Sequence, residues 1–385
     1  MHSDVVIVSR YFDLHAAAVE WALKQKGASA QTWSMLDMPQ AQRISLHFGD
    51  GLVHPPSVTG TDLDISSIPS ATWIRRVGLP VLSDTIDQRD RKFAGAQCRI
   101  VTEAALRSLS DQSFSVNPLD AGSRCHSKPY QLAIASRIGL RTPETIVTNC
   151  SAQLESFYAA HDGKIVHKPL QFSSWIGADG RRFVASTVKV TPLLLEHRSL
   201  IEHSPGIFQR LIDKAFEVRV HVIGSVVYAA KLFTKESSSS IDWRFDFSGS
   251  PPLCAFELPV SVKEKCLHFM AEAGLRFGCF DFIVDEQENY YFLEVNEMGQ
   301  FLWVEINDPA LPLLDAFSSF LLSGDDNFMH HRHGMNVRYS DFQAHYRANR
   351  TGYEQLSKRH VPAPIEQVIF EDAAITQAML ERGES

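Results

Sequence analysis

The sequence predicts a soluble protein of mixed α and β structure, divided into two or three subdomains. Three observations carry that expectation. The chain has 385 residues, more than one ordinary hydrophobic core organises. It opens on an apolar run, VVIVS, followed by a helical pattern that Gly27 closes, which makes a βα unit. Its second half carries the strand-like runs EVRVHVI, VVYAAKLF and CFDFIVDEQENYYFLEVN, two of them joined by a Gly224-Ser225 turn. Hydrophobic residues make up 44% of the chain, ample material to bury, and no stretch approaches the length of a membrane span. The formal net charge of −8 argues against a nucleic-acid protein working by general phosphate attraction. The six cysteines form no CxxC pair and no zinc spacing with histidine, so free thiols in a reducing cytoplasm are the expectation.

Taken in order, Val5 to Ser9 reads as a buried strand and His15 to Lys26 as a helix. Trp33 to Met38 and Ala71 to Val77 look like further strands of that first unit. Arg75 and Arg76 are adjacent, so in a strand they face opposite sides and cannot both be buried without partners. A long helix covers Asp90 to Leu109, ahead of a break at Asn117-Pro118. A second unit starts at Lys128, where Pro129 suits the first helical turn and Gly139 ends the helix. A strand in GLRTPETIVTN, a helix over Ser151 to Ala160 and the strand KIVHKPL follow, the last carrying Lys168. Then come the strands GIFQRLID, EVRVHVI and VVYAAKLF, a loop at KESSSS, an amphipathic helix ending at Gly274 and a hairpin around a polar turn. Beyond about Leu322 lies a polar tail with the cluster HHRHG and two helical patches, one of them ending in DAAITQAMLER.

The hairpin carries the chemistry. In FLEVNEMGQ, Glu294 and Asn296 are two residues apart and share a strand face, while Leu293 and Val295 point to the other. If the turn spans Glu286 to Asn289, Asp285 pairs with Tyr290 and Asp281 falls opposite Glu294. Cross-strand neighbours on one face lie about 5 Å apart at Cβ, so Asp281, Glu294 and Asn296 converge. Three hard oxygen donors make a half-site for Mg²⁺, which takes its other ligands from water and substrate phosphates. The alternative is a polar edge hairpin with solvated acids; against it, DFIV and YYFLEV are too apolar for a solvent-facing pair. Candidate partners for a phosphate are Lys128 at a helix start, Lys168 at the end of an apolar strand, Arg219 on a face shared with Glu217 and His221, and Arg244 in DWR. Taken singly, each of these cations is better read as a surface residue, since exposed Lys and Arg are the norm.

The ordered set of pieces resembles the ATP-grasp ligases, and within them the microviridin-type graspetide synthetases, peptide-modifying relatives of the ribosomal-protein glutamate ligases. The pieces are WIRR, SKPYQLAIASRIGLRTPETIVTN, IVHKPL, IFQRLIDKAFEVRVHVIG, DWR and GCFDFIVDEQENYYFLEVNEMGQFLWVE, and the resemblance covers about residues 1–322. It implies an ATP-grasp fold, α/β in the α+β sense, with an N-terminal pre-ATP-grasp βα domain over 1–120. A central subdomain over 121–205, a catalytic subdomain over 206–322 and an extension over 323–385 would follow.

The resemblance also implies roles. Lys128 and Lys168 would hold the ATP phosphates, Lys168 beside the adenine. Gln209, Arg210, Leu211 and Ile212 would form the hinge that reads adenine, Leu211 and Ile212 through backbone groups. Glu217 would accept from the ribose hydroxyls. Arg219 and Arg244 would steady the γ-phosphate and the charge developing in transfer. Asp281, Glu294 and Asn296 would hold Mg²⁺. The implied reaction activates an Asp or Glu side-chain carboxylate of a ribosomal precursor peptide as an acyl phosphate; a Ser or Thr hydroxyl or a Lys amine then closes an ester or amide. A ligase joining amino acids or other small molecules through the same chemistry is the alternative. The partner implied is a precursor peptide with a leader and an acidic, Ser/Thr/Lys-containing core, with a homodimer expected from the family.

Some residues depart from the family pattern. Ser127 stands where an Asn often precedes the lysine, QFSSWIGADGRR has only two glycines, and Glu297-Met298 replaces Pro-Asn after the metal positions. His221 reads as a satisfied sheet histidine, Cys279 as a small buried residue, and the cluster of His330, His331 and His333 as a solvated segment.

Overall fold

Four consecutive β-branched residues make β1 (Val5–Val8), and all four are buried, as a strand covered on both faces requires. It lies in an all-parallel sheet of order β2 (Ala30–Trp33), β1, β3 (Ala71–Ile74), β4 (Phe114–Val116). Helix α1 (Leu14–Gln25) starts at Asp13, whose carboxylate accepts from the His15 and Ala16 N–H groups. The computed structural model describes residues 4–11, 13–49, 52–171, 174–176, 181–234, 241, 251–331 and 336–364. The strand expected over 33–38 lies earlier, ending at Trp33. Met35–Asp37 instead form a 3₁₀ turn, in which the Asp37 and Met38 N–H groups donate to Ser34 O and Met35 O.

Helix α2 (Arg91–Gln112) and helix α3 (Lys128–Arg137) lead to a second, antiparallel sheet. Its order is β5 (Thr145–Thr148), β8 (Gly206–Arg210), β6 (Ile165–Lys168), β7 (Val188–Lys189), and α4 (Ser151–Ala160) falls where the sequence places it. The third sheet is antiparallel, of order β11 (Leu253–Ala255), β10 (Val226–Leu232), β9 (Lys214–Ile223), β12 (Phe277–Asp285), β13 (Tyr290–Asn296). One of its faces packs under α5 (Val260–Ala273), where Phe269 and Met270 meet Val220, Phe280 and Phe292. Ile223, Phe277 and Cys279 on the other face join a core that includes Ile7 and Trp73 of the first sheet. Helices α6 (Leu302–Asn307) and α7 (Leu313–Ser323) complete that core.

The polar tail turns out to be only partly polar. Phe328, Val337, Tyr339 and Phe342 are buried in the same core, the last two on α8 (Tyr339–Ala348), which α9 (Arg350–Ser357) follows. His330 is not solvated: its Nε2 meets Asp315 Oδ2 at 2.8 Å and its Nδ1 meets the Tyr228 hydroxyl, so buried partners hold the ring. His331 is exposed; His333, KESSSS and the stretch DAAITQAMLER lie outside the described residues. Among the described residues no helix is long and apolar enough to cross a membrane.

Candidate active site

A row of three charged side chains crosses the third sheet. Arg219 on β9 stands opposite Asp281 on β12, which stands opposite Glu294 on β13. The strands alternate, so this face carries the polar row while Val218, Val220, Phe280 and Val295 fill the core behind it. Arg219 Nη1 lies 2.6 Å from each Asp281 oxygen. Asn296 Nδ2 donates to Asp281 Oδ2 at 3.1 Å, which orients Asn296 from behind Asp281. Lys128 Nζ, at the start of α3, is 3.3 Å from Glu294 Oε2 and 3.4 Å from the Pro169 carbonyl at the end of β6.

The pairing of Asp281 with Glu294 is the one the sequence predicts, yet it arises by a different path. Near the turn Val284, and not Asp285, faces Tyr290; a β-bulge at Leu293 then inserts one residue and restores the offset. The bulge corrects a second expectation. Leu293 lines the cleft with Glu294 instead of pointing away with Val295.

The cleft in front of the row gathers residues from the second and third sheets. Lys128, Lys168, Gln209, Arg210, Leu211, Ile212, Glu217, Arg219, Asp281 and Glu294 all line it. Asn296 stands behind them, and Arg244 lies outside the described residues. The cleft spans about 960 Å³, open solvent at its mouth included.

Two observations test the adenine end. Gln209 is buried on β8; its Nε2 donates to Thr145 Oγ1 at 2.9 Å, and its Oε1 has no hydrogen-bond partner. A buried acceptor without a donor is costly, and a purine amino group is a donor of the right kind. In the hinge, Arg210 N–H donates to Glu144 O and Leu211 N–H to Lys164 O, so Leu211 has its carbonyl to offer a base. Glu217 Oε1 is 2.6 Å from Lys214 Nζ, and Lys214 also lines the cleft.

Nearby titratable groups are held out of the chemistry by burial. His221 is fully buried, and burial, with Arg219 beside it, drives its pKa well below the usual histidine value. It is a buried sheet residue paired across the sheet with Tyr228. Burial pushes the Cys279 thiol up to about 12, which leaves it protonated.

No family model matches the chain, and no curated protein sequence matches it. Solved structures do. The macrocyclase MdnC from Microcystis aeruginosa, bound with precursor peptide MdnA, is 26% identical with a TM-score of 0.73, over 83% of this chain and 100% of its own. The macrocyclase MdnB from the same organism is 25% identical with a TM-score of 0.68, over 83% of this chain and 99% of its own. The chain has the fold of the ATP-grasp ligases. A RiPP-associated ATP-grasp ligase of Chryseobacterium gregarium, in complex with ADP and a leader and core peptide, superposes on this chain with a TM-score of 0.76 at 24% identity. That match spans 88% of this chain and 100% of the other.

Sequence reasoning missed several cleft and support residues. Lys214 carried no mark in IDKAFEV, because a bulge between Lys214 and Phe216 alters its facing. Trp303, just beyond GQ, lines the cleft, and its Nε1 donates to the Gln300 carbonyl at 3.1 Å. Arg75 was flagged only as needing a partner. It is fully buried, its Nε 2.6 Å from Asp13 Oδ2 and its Nη1 2.9 Å from the Met298 carbonyl. The chain has left strand geometry by then, since the Arg75 and Arg76 N–H groups both reach the Val8 carbonyl, and both side chains are buried.

Proposed function

We propose that this ligase activates an Asp or Glu side-chain carboxylate of a ribosomal precursor peptide as an acyl phosphate and joins it to a Ser, Thr or Lys side chain of the same peptide. The observation that carries the reading is the single cleft in which Lys128, Lys168, the 209–212 hinge, Arg219, Asp281 and Glu294 meet. The likeness to MdnC, crystallised with its precursor peptide, favours a peptide over a free amino acid.

ATP would lie with its adenine against Gln209 and the hinge and its phosphates toward Lys128 and Lys168. Asp281, Glu294 and Asn296 are hard oxygen donors of the kind Mg²⁺ takes, and the bound ion would supply charge neutralisation at the phosphates. Lys128 bridges the two ends of the site, since it touches both Glu294 and the end of the Lys168 strand. Arg219, fixed by Asp281, presents a permanent positive charge where negative charge grows during phosphoryl transfer. Leu211, Ile212, Ile283 and Leu293 would give the cleft its apolar walls. The reaction needs no protein nucleophile: the substrate carboxylate attacks the γ-phosphorus and releases ADP. The hydroxyl or amine then attacks the acyl carbon, loses its proton and expels phosphate.

The test is incubation with an acidic, Ser/Thr/Lys-containing precursor peptide, ATP and Mg²⁺, read by mass. Each ester or amide closed within the peptide removes about 18 Da. Gain of an amino-acid mass in place of that loss would overturn the cyclase reading.

A further inference from the structure

The loop from Glu297 to Leu302 links Asn296, at the end of β13, to α6 and Trp303, and it is the segment where this chain departs from its family's pattern. Its backbone is held almost entirely by residues far away in sequence. Arg75 Nη1 donates to the Met298 carbonyl at 2.9 Å and also to the Gly299 carbonyl. His15 Nε2 accepts from the Phe301 and Leu302 N–H groups at 3.2 and 3.4 Å. Asn117 Nδ2 donates to the Glu297 carbonyl at 2.7 Å. The Gln300 carbonyl accepts from Arg219 Nη2 at 3.3 Å and from Trp303 Nε1, which are cleft residues. One side of the loop therefore belongs to the first sheet and the other to the active-site row.

The chemistry at Arg75 is costly unless it specifies something. A fully buried guanidinium paired with a buried carboxylate is often no more stable than well-packed apolar residues of the same size. Burial works against an ionised Asp13, yet the Arg75 guanidinium beside it holds its carboxyl well below the usual range. Burial and Arg75 together keep His15 neutral, which leaves its Nε2 an acceptor for the start of α6. Gly299 is also fitted to this arrangement: its φ is +59°, and a Cβ there would collide with the Phe277 ring.

We propose that Arg75, with Asp13 and His15, is the positioning element of the metal half-site. The N-terminal unit sets where loop 297–302 runs, and thereby sets Asn296 and, through Gln300, the Arg219 guanidinium against Asp281. Arg75 is a positioning residue and touches no substrate. The inference rests on the reading of Asp281, Glu294 and Asn296 as Mg²⁺ ligands.

The test uses the double variant Asp13→Asn with Arg75→Met, which removes both buried charges together and keeps a capping side chain at α1. ADP is first bound without metal, and Mg²⁺ is then titrated into the ADP complex calorimetrically, alongside thermal melting. The adenine end is built by other elements, so ADP affinity without metal stays within about twofold, as for a removed interaction that shares no partner with it. Mg²⁺ affinity falls about tenfold or more, the scale seen when support behind a ligand is lost. Arg75→Lys, which keeps the charge but loses the fork, falls between the two. If the double variant melts far below the parent, His15→Leu decides instead, because it leaves the ion pair intact and removes only the acceptor for Phe301 and Leu302. Unchanged Mg²⁺ affinity in the folded variant, with ADP binding intact, overturns this inference alone. Failure of the parent chain to bind ADP overturns the nucleotide reading itself, and this inference with it.

Discussion

Glu294 has Lys128 as its cation and cleft space in front of it. Glu294→Ala removes one oxygen donor and leaves the ammonium facing the phosphates unbalanced. ADP release with peptide should fall about a hundredfold or more, as when a single charge-stabilising group is removed. The melting temperature should barely move, because a partly exposed ion pair contributes only about 0–1 kcal/mol; turnover at the parent's rate would remove Glu294 from the chemistry. At the other end of the cleft, Gln209→Met keeps the volume and deletes the orphaned Oε1. The KM for ATP should rise several-fold with kcat nearly unchanged, since one hydrogen bond is worth about 0.5–1.5 kcal/mol and is made equally in ground and transition states. A fall in kcat at constant KM would contradict that placement.

At the scale of elements, Glu305 on α6 ties three helices together. Its carboxylate accepts from Leu314 N–H in the first turn of α7 and from Tyr339 N–H at the start of α8, each at 2.8 Å. Burial raises its pKa to about 7 against the pull of those two donors. The folded value exceeds the ordinary value of about 4.3, so the folded state binds this proton more tightly. Its contribution to stability is therefore complete below the unfolded pKa and is lost as pH rises through 7. Melting scans between pH 5 and 8 should show a falling temperature, and Glu305→Gln, which cannot ionise, should flatten that slope; an identical slope in the variant would assign the dependence to another group. Elements of this kind were only partly legible in the sequence. The hairpin was readable because a period of two and a polar turn leave a compositional trace, and Asp281 opposite Glu294 followed from counting. The bulge at Leu293 left none, since one inserted residue alters register without altering composition. Arg219 opposite Asp281 was hidden for a related reason: pairing between β9 and β12 spans more than fifty residues of intervening chain, and no local turn fixes its offset.

At the scale of the molecule, residues beyond Leu322 read as a separate polar tail because the runs that open it, SGDDN and HHRHG, are polar and charged. The structure makes them part of the main core, anchored by buried carboxylates on the body. Asp315 accepts from Val337 N–H and meets His330, while Asp37 accepts from Val361 N–H and meets His360. Sequence composition counts residues; it does not say that Phe328, Val337, Tyr339 and Phe342 all fall on one face. Burying each such side chain contributes about 1.5–3 kcal/mol, so four of them contribute about 6–12 kcal/mol. That is comparable to the whole stability of an ordinary domain, about 5–15 kcal/mol. Truncation after Ser323 also takes the Val337 N–H from Asp315 and the Tyr339 N–H from Glu305, leaving each with one fewer donor. The truncated chain should therefore be recovered unfolded or aggregated, by circular dichroism and size-exclusion chromatography, although every residue assigned to the cleft is still present. A truncated chain that stays monomeric and melts cooperatively within a few degrees of the parent would return the extension to the status of an appendage, and would leave Val337 and Tyr339 as passengers on a core that closes without them.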